Sequence, residues 1–536
     1  MKVTSLIFVL LLITGSAFGV TFGHVAGNWS TDALWEGGVK PTSSNAAVFD
    51  NGSASCTIDA ASVCQTLTCT DYTGTLTFTS NLAVGGSVTL DNTATYTPGN
   101  GSLVVSAAAT LISDEESFAV PLRIGTGSLG TATFLFADNW TTTGGVTIVG
   151  SAAALRTLTG SILSIAGNFK VDTITTGSIS GTTTIVLNGT GTWSESFTTG
   201  WIANPLQIAG NVTFSGIINV GGGNSATAKT LTYVSGTVVP GTSNLKVVNG
   251  AYTIDCDATG LTLGTLTLNA PTSFTGEGFT CTEMISSIAE GAATSGDKIL
   301  NGGFTAWTAD NPDNWITTET GDGLVTQVAG GCRYYRSTGN ARTDQNGKFT
   351  IGRKYRITVV CTAFSSAANY YGCGDAVNFS SSRVNSVGTF VFDITAAHSD
   401  LVIRYNGTGS IDMTLSSISI YEIPTHTFAS GKEWIVTDSL KLAGVSALQP
   451  VVLQSSGASY AYLTLQAGAK QGVSFVSHVS YPLGVSTLQW INSANGRRVY
   501  DKGGVLGNTV NWSPFNKPIL ANGQAGWGRT QSEWGR

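Results

Sequence analysis

The side chains best suited to bond cleavage in this 536-residue chain are carboxylates, and they are sparse and mostly solitary. Glycoside hydrolysis needs two carboxyl groups beside the scissile bond, and lytic elimination commonly adds an acidic calcium cluster with a basic side chain. Two acidic clusters stand out before residue 290, Asp114-Glu115-Glu116 and Asp255-x-Asp257. Neither has a basic neighbour, and strand alternation would place Asp255 and Asp257 on one face, opposite Cys256. We therefore interpret both clusters as solvated and expect no catalytic residues.

The remaining reactive side chains suggest no cofactor. The four histidines, at 24, 398, 426 and 478, are isolated in the sequence, so no triad or metal site is expected. Gly221-Gly222-Gly223 is interpreted as a turn, because a phosphate loop would lead into a helix and no helix signal follows.

A recurring motif indicates which elements position these side chains. The stretch LAVGGSVT at 82–89 returns in related form at 163–170 and 206–213, and more faintly at 440–444. Each copy alternates apolar with small or polar residues and then turns at glycine, a pattern typical of strand–turn–strand units. Units that cannot bury their own apolar face stack into solenoids. The first three starts lie 81 and 43 residues apart, which we interpret as two units and one unit of a common spacing.

Composition favours an all-β fold and excludes several functions. Only 11% of residues are charged and 42% are apolar, against roughly 25% charged in an average soluble domain, so intrinsic disorder is excluded. Threonine favours strands, the 67 glycines supply corners, and no sustained helical periodicity occurs. The net charge is −6 and no basic run is present, so a nucleic-acid partner is not expected.

The first 19 residues have the features of an export signal. Lys2 precedes the apolar run 6–13, and the small residues Ala17 and Gly19 suit a cleavage site. An uncleaved anchor is the alternative, although the run is shorter than the about 20 residues needed to span a bilayer. No second stretch approaches spanning length, so we predict a secreted or cell-surface protein without a membrane span after cleavage.

Cysteine usage agrees with an oxidising compartment. The eight cysteines lack the two tight pairs of a zinc site, so disulfides are favoured over metal binding; they stand at 56, 64, 69, 256, 281, 332, 361 and 373. Cys256 and Cys281 are the predicted pair, because 25 residues is a plausible length for one coil.

The sequence changes character near residue 296. Leu300-Asn301-Gly302-Gly303-Phe304 leads to Trp307 and Trp315, residues 352–359 read GRKYRITV, and an apolar strand closes the segment at 415–421. Residues 296–423 resemble the jelly-roll carbohydrate-binding modules of secreted glycan-degrading enzymes. The resemblance implies an antiparallel β-sandwich and glycan binding.

Aromatic rings in this segment are the predicted glycan contacts. Sugars stack their apolar faces on aromatic planes while polar groups bond the hydroxyls. The six candidates are Trp307, Trp315, Tyr334, Tyr335, Tyr370 and Tyr371. In each Tyr-Tyr pair, strand alternation would direct one ring inward and the other outward. Recognition by ring faces would persist at high salt.

The repeat pattern returns after Pro424, and with the N-terminal residues it is similar to that of secreted β-helix proteins of bacterial surfaces. The predicted fold is a parallel β-solenoid interrupted by a jelly-roll β-sandwich. The predicted divisions are a signal peptide at 1–19, a cap at 20–72, solenoid at 73–295, the jelly-roll at 296–423, more solenoid at 424–512 and a flexible tail at 513–536.

Three functions fit this organisation. The first is a non-catalytic surface or adhesion protein whose solenoid stalk displays a glycan-binding module. The second is a polysaccharide lyase or glycoside hydrolase with catalytic groups along the solenoid, and the third is a virion-associated fibre. The scarcity of paired acids favours the first, with a polysaccharide or cell-surface glycan as partner.

Overall fold

The computed structural model describes residues 19–514 apart from gaps at 115–116, 223–228, 288–297, 352, 367–368, 408, 444–450, 457–460, 467–468, 475, 479–490, 493–498 and 502–511. The predicted signal peptide, except Gly19, and the predicted tail beyond Pro514 lie outside these residues. Within them no α-helix occurs, and short 3-10 turns form at Asp32–Leu34 and Phe379–Ser381. The chain divides into two compact units, residues 1–198 and 199–536.

The first unit is a stack of short parallel strands arranged as the walls of a solenoid. One wall contains Gly19–Thr21, Ala46–Phe49, Thr66–Cys69, Val88–Thr89, Ala109–Ile112, Ala132–Phe136, Leu155–Gly160 and Ser178–Gly181. A second contains Ser62–Cys64, Leu82–Val84, Leu103–Val105, Leu122–Ile124, Val146–Val149, Phe169–Asp172 and Thr190–Ser194. The remaining strands are Gly27–Asn28, Cys56–Ile58, Thr75–Phe78 and Thr95–Pro98, then Ser117–Phe118, Trp140–Thr142, Leu163–Ile165 and Ile185–Leu187.

In many of these strands every second side chain is apolar and points into the interior, as in the alternating burial of Leu82–Val84 and Ala132–Phe136. Successive registered partners in one wall, from Leu82 through Leu103 and Leu122 to Val146, are 19 to 24 residues apart. Leu163 likewise pairs with Ile185. The 43-residue spacing in the sequence is therefore longer than one coil, and the motif copies at 82 and 163 belong to different walls. Parallel pairing is already present within the predicted cap, where Val20 pairs with Ala47.

The second unit contains further parallel strands of the same kind. One wall contains Trp201–Ala203, Ile217–Gly221, Asn244–Asn249, Thr262–Leu268, Thr280–Ser287, Glu433–Ala443, Ala461–Leu465, Lys470–Ser474, Ile491–Asn492, Val499–Asp501 and Trp512–Pro514. Another contains Leu206–Ile208, Lys229–Tyr233, Tyr252–Cys256, Thr272–Gly276, Thr425–Phe428, Val451–Ser455 and Val476–His478, and a third contains Asn211–Ser215 and Val238–Val239.

In this unit, solenoid strands that precede the long segment after Ser287 pair directly with solenoid strands that follow it. Thr272–Gly276 pairs in parallel with Thr425–Phe428, and Thr280–Ser287 pairs with Glu433–Ala443. The rings of Phe274 and Phe428 stack at 4.6 Å. A strand that precedes the segment thus packs directly on one that follows it, which confirms the predicted solenoid with an inserted β-sandwich.

The inserted sandwich consists of two antiparallel five-stranded sheets. We call sheet I the one with the strand order Ile316–Thr320, Asn340–Gln345, Leu401–Asn406, Tyr370–Asp375 and Arg383–Val384. Sheet II has the order Leu324–Val328, Gly331–Arg336, Ile411–Glu422, Lys354–Ser365 and Gly388–Thr395. A small hairpin joins Trp307–Thr308 to Asn311–Pro312. Side chains from both sheets share one apolar core.

An ionic cluster fixes the sandwich where the chain returns to the solenoid. The nearly buried Glu422 carboxylate forms ion pairs with Arg353 and, at 3.5 Å, with Lys298. Arg353 also donates to the Val248 carbonyl of the solenoid at 3.2 Å. Four residues beyond Glu422, the fully buried His426 places Nε2 2.7 Å from Ser286 Oγ.

The cysteines differ from the prediction. All eight are free thiols with buried side chains, so the predicted disulfide between Cys256 and Cys281 is not formed. The reason is topological: Cys256 faces inward from the wall that contains Thr272–Gly276, and Cys281 from the wall that contains Thr262–Leu268. Burial raises the pKa of the Cys256 thiol to about 12.

Candidate functional site

The described acidic residues of the two predicted clusters lie at the surface of the solenoid. Asp255 and Asp257 are solvent-accessible while Cys256 is buried, as alternation predicts, and Thr275 donates to Asp255 at 2.5 Å. Asp114 lies in a turn with a positive φ of 52°, and its neighbours 115–116 lie outside the described residues. Other carboxylates are bonded as well: Glu277 and Glu283 form ion pairs with Lys432 and Lys441.

The Asn-Gly-Gly-Phe stretch that opens the sandwich has a structural role. Asn301 accepts backbone hydrogen bonds from Thr305 and Ala306 at 2.9 and 3.1 Å. Its amide donates to the carbonyls of Ala306 and Asp313 at 2.7 and 3.1 Å. One side chain therefore holds both ends of this loop, which positions the two tryptophans that follow.

These tryptophans differ in exposure. Trp315 is buried, donates to the Asn301 carbonyl at 3.3 Å and packs against Phe304 with ring centroids 5.3 Å apart. Trp307 is half-buried at the core's edge and donates to the Phe304 carbonyl at 2.6 Å. Of the two, Trp307 presents ring surface to solvent.

Each Tyr-Tyr pair places one ring inside the sandwich. Tyr334 and Tyr371 are fully buried, 5.3 Å apart, and their hydroxyls bond Thr343 at 2.7 Å and the Ala341 carbonyl at 3.1 Å. Burial raises the pKa of both phenols. These two rings pack in the core, so their faces are not available to a sugar.

The outer members of the pairs, Tyr335 and Tyr370, are half-buried and lie on opposite sheets. Tyr335 projects from sheet II, where the Arg333 guanidinium is 5.3 Å from its ring centroid and is held by two hydrogen bonds to Asp412 at 2.6 and 2.8 Å. Tyr370 projects from sheet I, with the Arg383 guanidinium 4.4 Å from its ring centroid. The six predicted rings therefore do not form one continuous surface.

Sequence reasoning missed the arginines that accompany Tyr370 on the outer face of sheet I. Antiparallel register places Thr318 opposite Arg342, Arg342 opposite Arg404, Arg404 opposite Gly372, and Gly372 opposite Arg383. In the adjacent row Tyr370 lies opposite Asn406. The missed signal was the spacing Asn-x-Arg at 340–342 and Arg-x-Asn at 404–406, which puts both residue types on one face of a strand.

Two glycines shape this face. A Cβ on Gly372 would meet the Phe379 ring and carbonyl at 2.7 and 2.3 Å, and one on Gly374 would meet Phe379 Cα at 3.1 Å. The absence of side chains at both positions allows the 3-10 turn Phe379–Ser381 to lie on the strand Tyr370–Asp375. The turn brings the Phe379 ring within 5.3 Å of the Arg404 guanidinium.

The described residues contain no group of histidine, cysteine and acidic side chains that could hold a metal ion. Nor do they include a helix long and apolar enough to cross a membrane.

Comparison with known proteins adds little. No protein-family model matches the chain, and no curated protein matches it. One similar solved structure is the enzymatically active domain of tailspike protein 4 from bacteriophage CBA120, at 12% sequence identity and a TM-score of 0.12. The match covers 64% of this chain and spans 63% of the tailspike chain. At so low a TM-score the likeness has no bearing on the function of this chain.

Proposed function

We propose that this protein is an extracellular, non-catalytic β-solenoid that displays a glycan-binding β-sandwich. The observation that carries the proposal is where aromatic rings reach solvent. In the described solenoid most tryptophan and tyrosine rings, such as Trp140 and Tyr252, are buried. In the sandwich, Trp307, Tyr335 and Tyr370 are only partly buried, and the two tyrosines lie beside arginines, a combination of aromatic and polar groups that suits sugar recognition.

The proposal includes the domain plan predicted from the sequence. A signal peptide at 1–19 would export the chain, and the solenoid segments 73–295 and 424–512 would form the stalk on either side of the glycan-binding module at 296–423. The cap would be 20–72 and the tail 513–536. The hydrogen bond of Asp255 and the ion pairs of Glu277 and Glu283 support a non-catalytic role for these three carboxylates, because each already has a side-chain partner within the protein.

Glycan-array binding of the full-length protein tests this function. Replacing Tyr370 or Tyr335 by alanine is expected to weaken binding by about 0.5–1.5 kcal/mol beyond the lost contact area, because an aromatic face is removed. Tyr462→Ala, at a half-buried tyrosine of a solenoid strand, is the matched control and should leave binding unchanged.

The same preparations are assayed for new reducing ends and for unsaturated sugar products. Binding without cleavage supports the proposal. Cleavage of a bound polysaccharide would replace it with the enzyme hypothesis, and failure to bind any glycan by a folded protein would contradict it.

A further inference from the structure

The outer face of sheet I concentrates positive charge in a protein of net charge −6. Arg342, Arg404 and Arg383 belong to a single row of registered positions, with Gly372 between the last two. At one strand spacing of about 4.8 Å, this row spans roughly 14 Å. Like charges directly opposite each other destabilise a sheet, so Arg342 opposite Arg404 is an arrangement that packing alone does not favour.

Acidic side chains neutralise only part of the positive charge of this row. The five strands of sheet I contain three acids, of which Glu319 and Asp375 are in inward-facing register and bond backbone N–H groups. The third, Asp344, shares the outer face, pairs with Arg342 at 2.7 Å and also interacts electrostatically with Arg404. Arg383 and Arg404 are exposed, and no carboxylate of the described residues forms an ion pair with either.

The groups beside these arginines suit the outer face of sheet I to binding a sugar rather than a simple inorganic ion. The ring faces of Tyr370 and Phe379 hold the guanidinium groups of Arg383 and Arg404 at 4.4 and 5.3 Å. Asn406 lies one row away, opposite Tyr370. Guanidinium forks bind carboxylates and sulfates through paired hydrogen bonds, while amides and ring edges suit hydroxyls and apolar sugar faces.

We propose that this face binds an acidic polysaccharide, with Arg404 and Arg383 contacting carboxylate or sulfate groups along the chain. The inference rests on the proposed glycan-binding function and specifies its ligand class and its sheet. Because the recognition is ionic, it should weaken as salt shortens the Debye length, unlike recognition by ring faces alone.

The test is affinity gel electrophoresis of the full-length protein in gels that contain polygalacturonate, dextran sulfate or neutral dextran. Wild-type protein should be retarded by one or both polyanions and not by dextran, and the better ligand distinguishes carboxylate from sulfate. Arg404→Gln and Arg383→Gln should each weaken the retardation roughly tenfold in apparent Kd, as expected for loss of a charged hydrogen-bonding partner. Raising NaCl from about 0.05 M to about 0.5 M should abolish it.

The control is Lys170→Gln, which also removes one positive charge but from an exposed position on a solenoid strand, and it should leave retardation unchanged. Thermal melts verify that each variant is folded. Equal retardation of wild type and both sheet I variants would overturn the inference, as would equal binding of single-stranded DNA, which would indicate a general polyanion surface. Binding only to neutral glycans would overturn it while leaving the proposed function standing; binding to no glycan would remove both.

Discussion

At the scale of single residues, His426 links protonation to folding. Its Nε2 bonds Ser286, its Nδ1 has no hydrogen-bond partner among the described residues, and burial lowers its pKa to about 3. The unfolded chain binds a proton on this imidazole near pH 6.5 that the folded chain does not bind until near pH 3. The folded state is therefore most favoured above pH 6.5 and loses stability as the pH falls from there toward 3.

We expect His426→Gln to reduce this acid sensitivity. Glutamine keeps a group that can bond Ser286 but does not titrate. Between about pH 6.5 and 4.5 the wild type should lose roughly 2 kcal/mol of unfolding free energy more than the variant, measured by urea titration at each pH. His398→Gln, at a half-buried histidine of the sandwich, serves as control. Parallel pH profiles for wild type and His426→Gln would contradict the prediction.

Arg156 holds the first unit together from inside. Its fully buried guanidinium donates to the carbonyls of Gly130, Leu129 and Val149, the last two at 2.7 and 2.8 Å. Burial lowers its pKa, and bonds to backbone carbonyls take the place of a carboxylate partner.

Arg156→Met should destabilise the protein by about 3 kcal/mol, because it retains the apolar stem but leaves buried carbonyls without donors. The measurement is the shift in urea midpoint. Lys170→Met, which removes only an exposed ion pair to Asp172, should cost little. Equal midpoints for the two variants would show that the buried bonds contribute nothing.

At the scale of elements, the sequence predicted which side chains share one face of a strand, but it did not predict which strands pair. The inward and outward members of each Tyr-Tyr pair, and the common face of Asp255 and Asp257, follow from a period of two. The row that holds the arginines required the pairing of five strands, with Thr318 and Arg383 at its edges, and its members Thr318 and Arg404 are 86 residues apart in sequence. Coil length was misjudged because the 43-residue spacing is about twice the 22-residue step from Leu163 to its partner Ile185. The 81-residue spacing is no guide either, because the copies at 82 and 163 lie in different walls.

The continuous ladder beneath the sandwich predicts that the solenoid folds without it. Replacing residues 296–423 by a short glycine-serine bridge should leave a cooperative β protein by circular dichroism and thermal melting, because coils contact mainly their neighbours. Extending the deletion through Phe428 removes the strand that pairs with both Thr272–Gly276 and Val451–Ser455, and should lower the melting temperature further. An unfolded first variant would contradict the prediction.

At the scale of the whole molecule, the structure and the sequence-based prediction differ in the state of the cysteines, which are free thiols in the structure and were predicted to form disulfides. All eight are buried free thiols, so reductant should not change the melting temperature. Ellman's reagent should find almost no reactive thiol in the native protein and eight after denaturation without reductant. Fewer than eight would reveal a disulfide and restore the prediction made from the cysteine count.

The fold class was predictable because repeats and composition report on every coil, whereas the candidate site was predictable only in part. Buried Tyr334 and Tyr371 resemble their exposed neighbours in type, and only the packed core decides which face is inside. The arginines of sheet I are separated along the sequence, and they form a row only when the strands pair into the sheet.

Asparagines just before or at the start of solenoid strands connect successive coils. The side-chain oxygens of Asn81, Asn139, Asn168 and Asn211 accept hydrogen bonds from backbone N–H groups 21 to 26 residues later, at 2.8 to 3.3 Å. Asn139 and Asn211 also begin Asn-x-Thr sequences, which are acceptors for N-linked sugars in a eukaryotic secretory pathway. Production in such a host would place bulky glycans on exposed amides that join one coil to the next, so a bacterial host is the appropriate source of protein for binding studies.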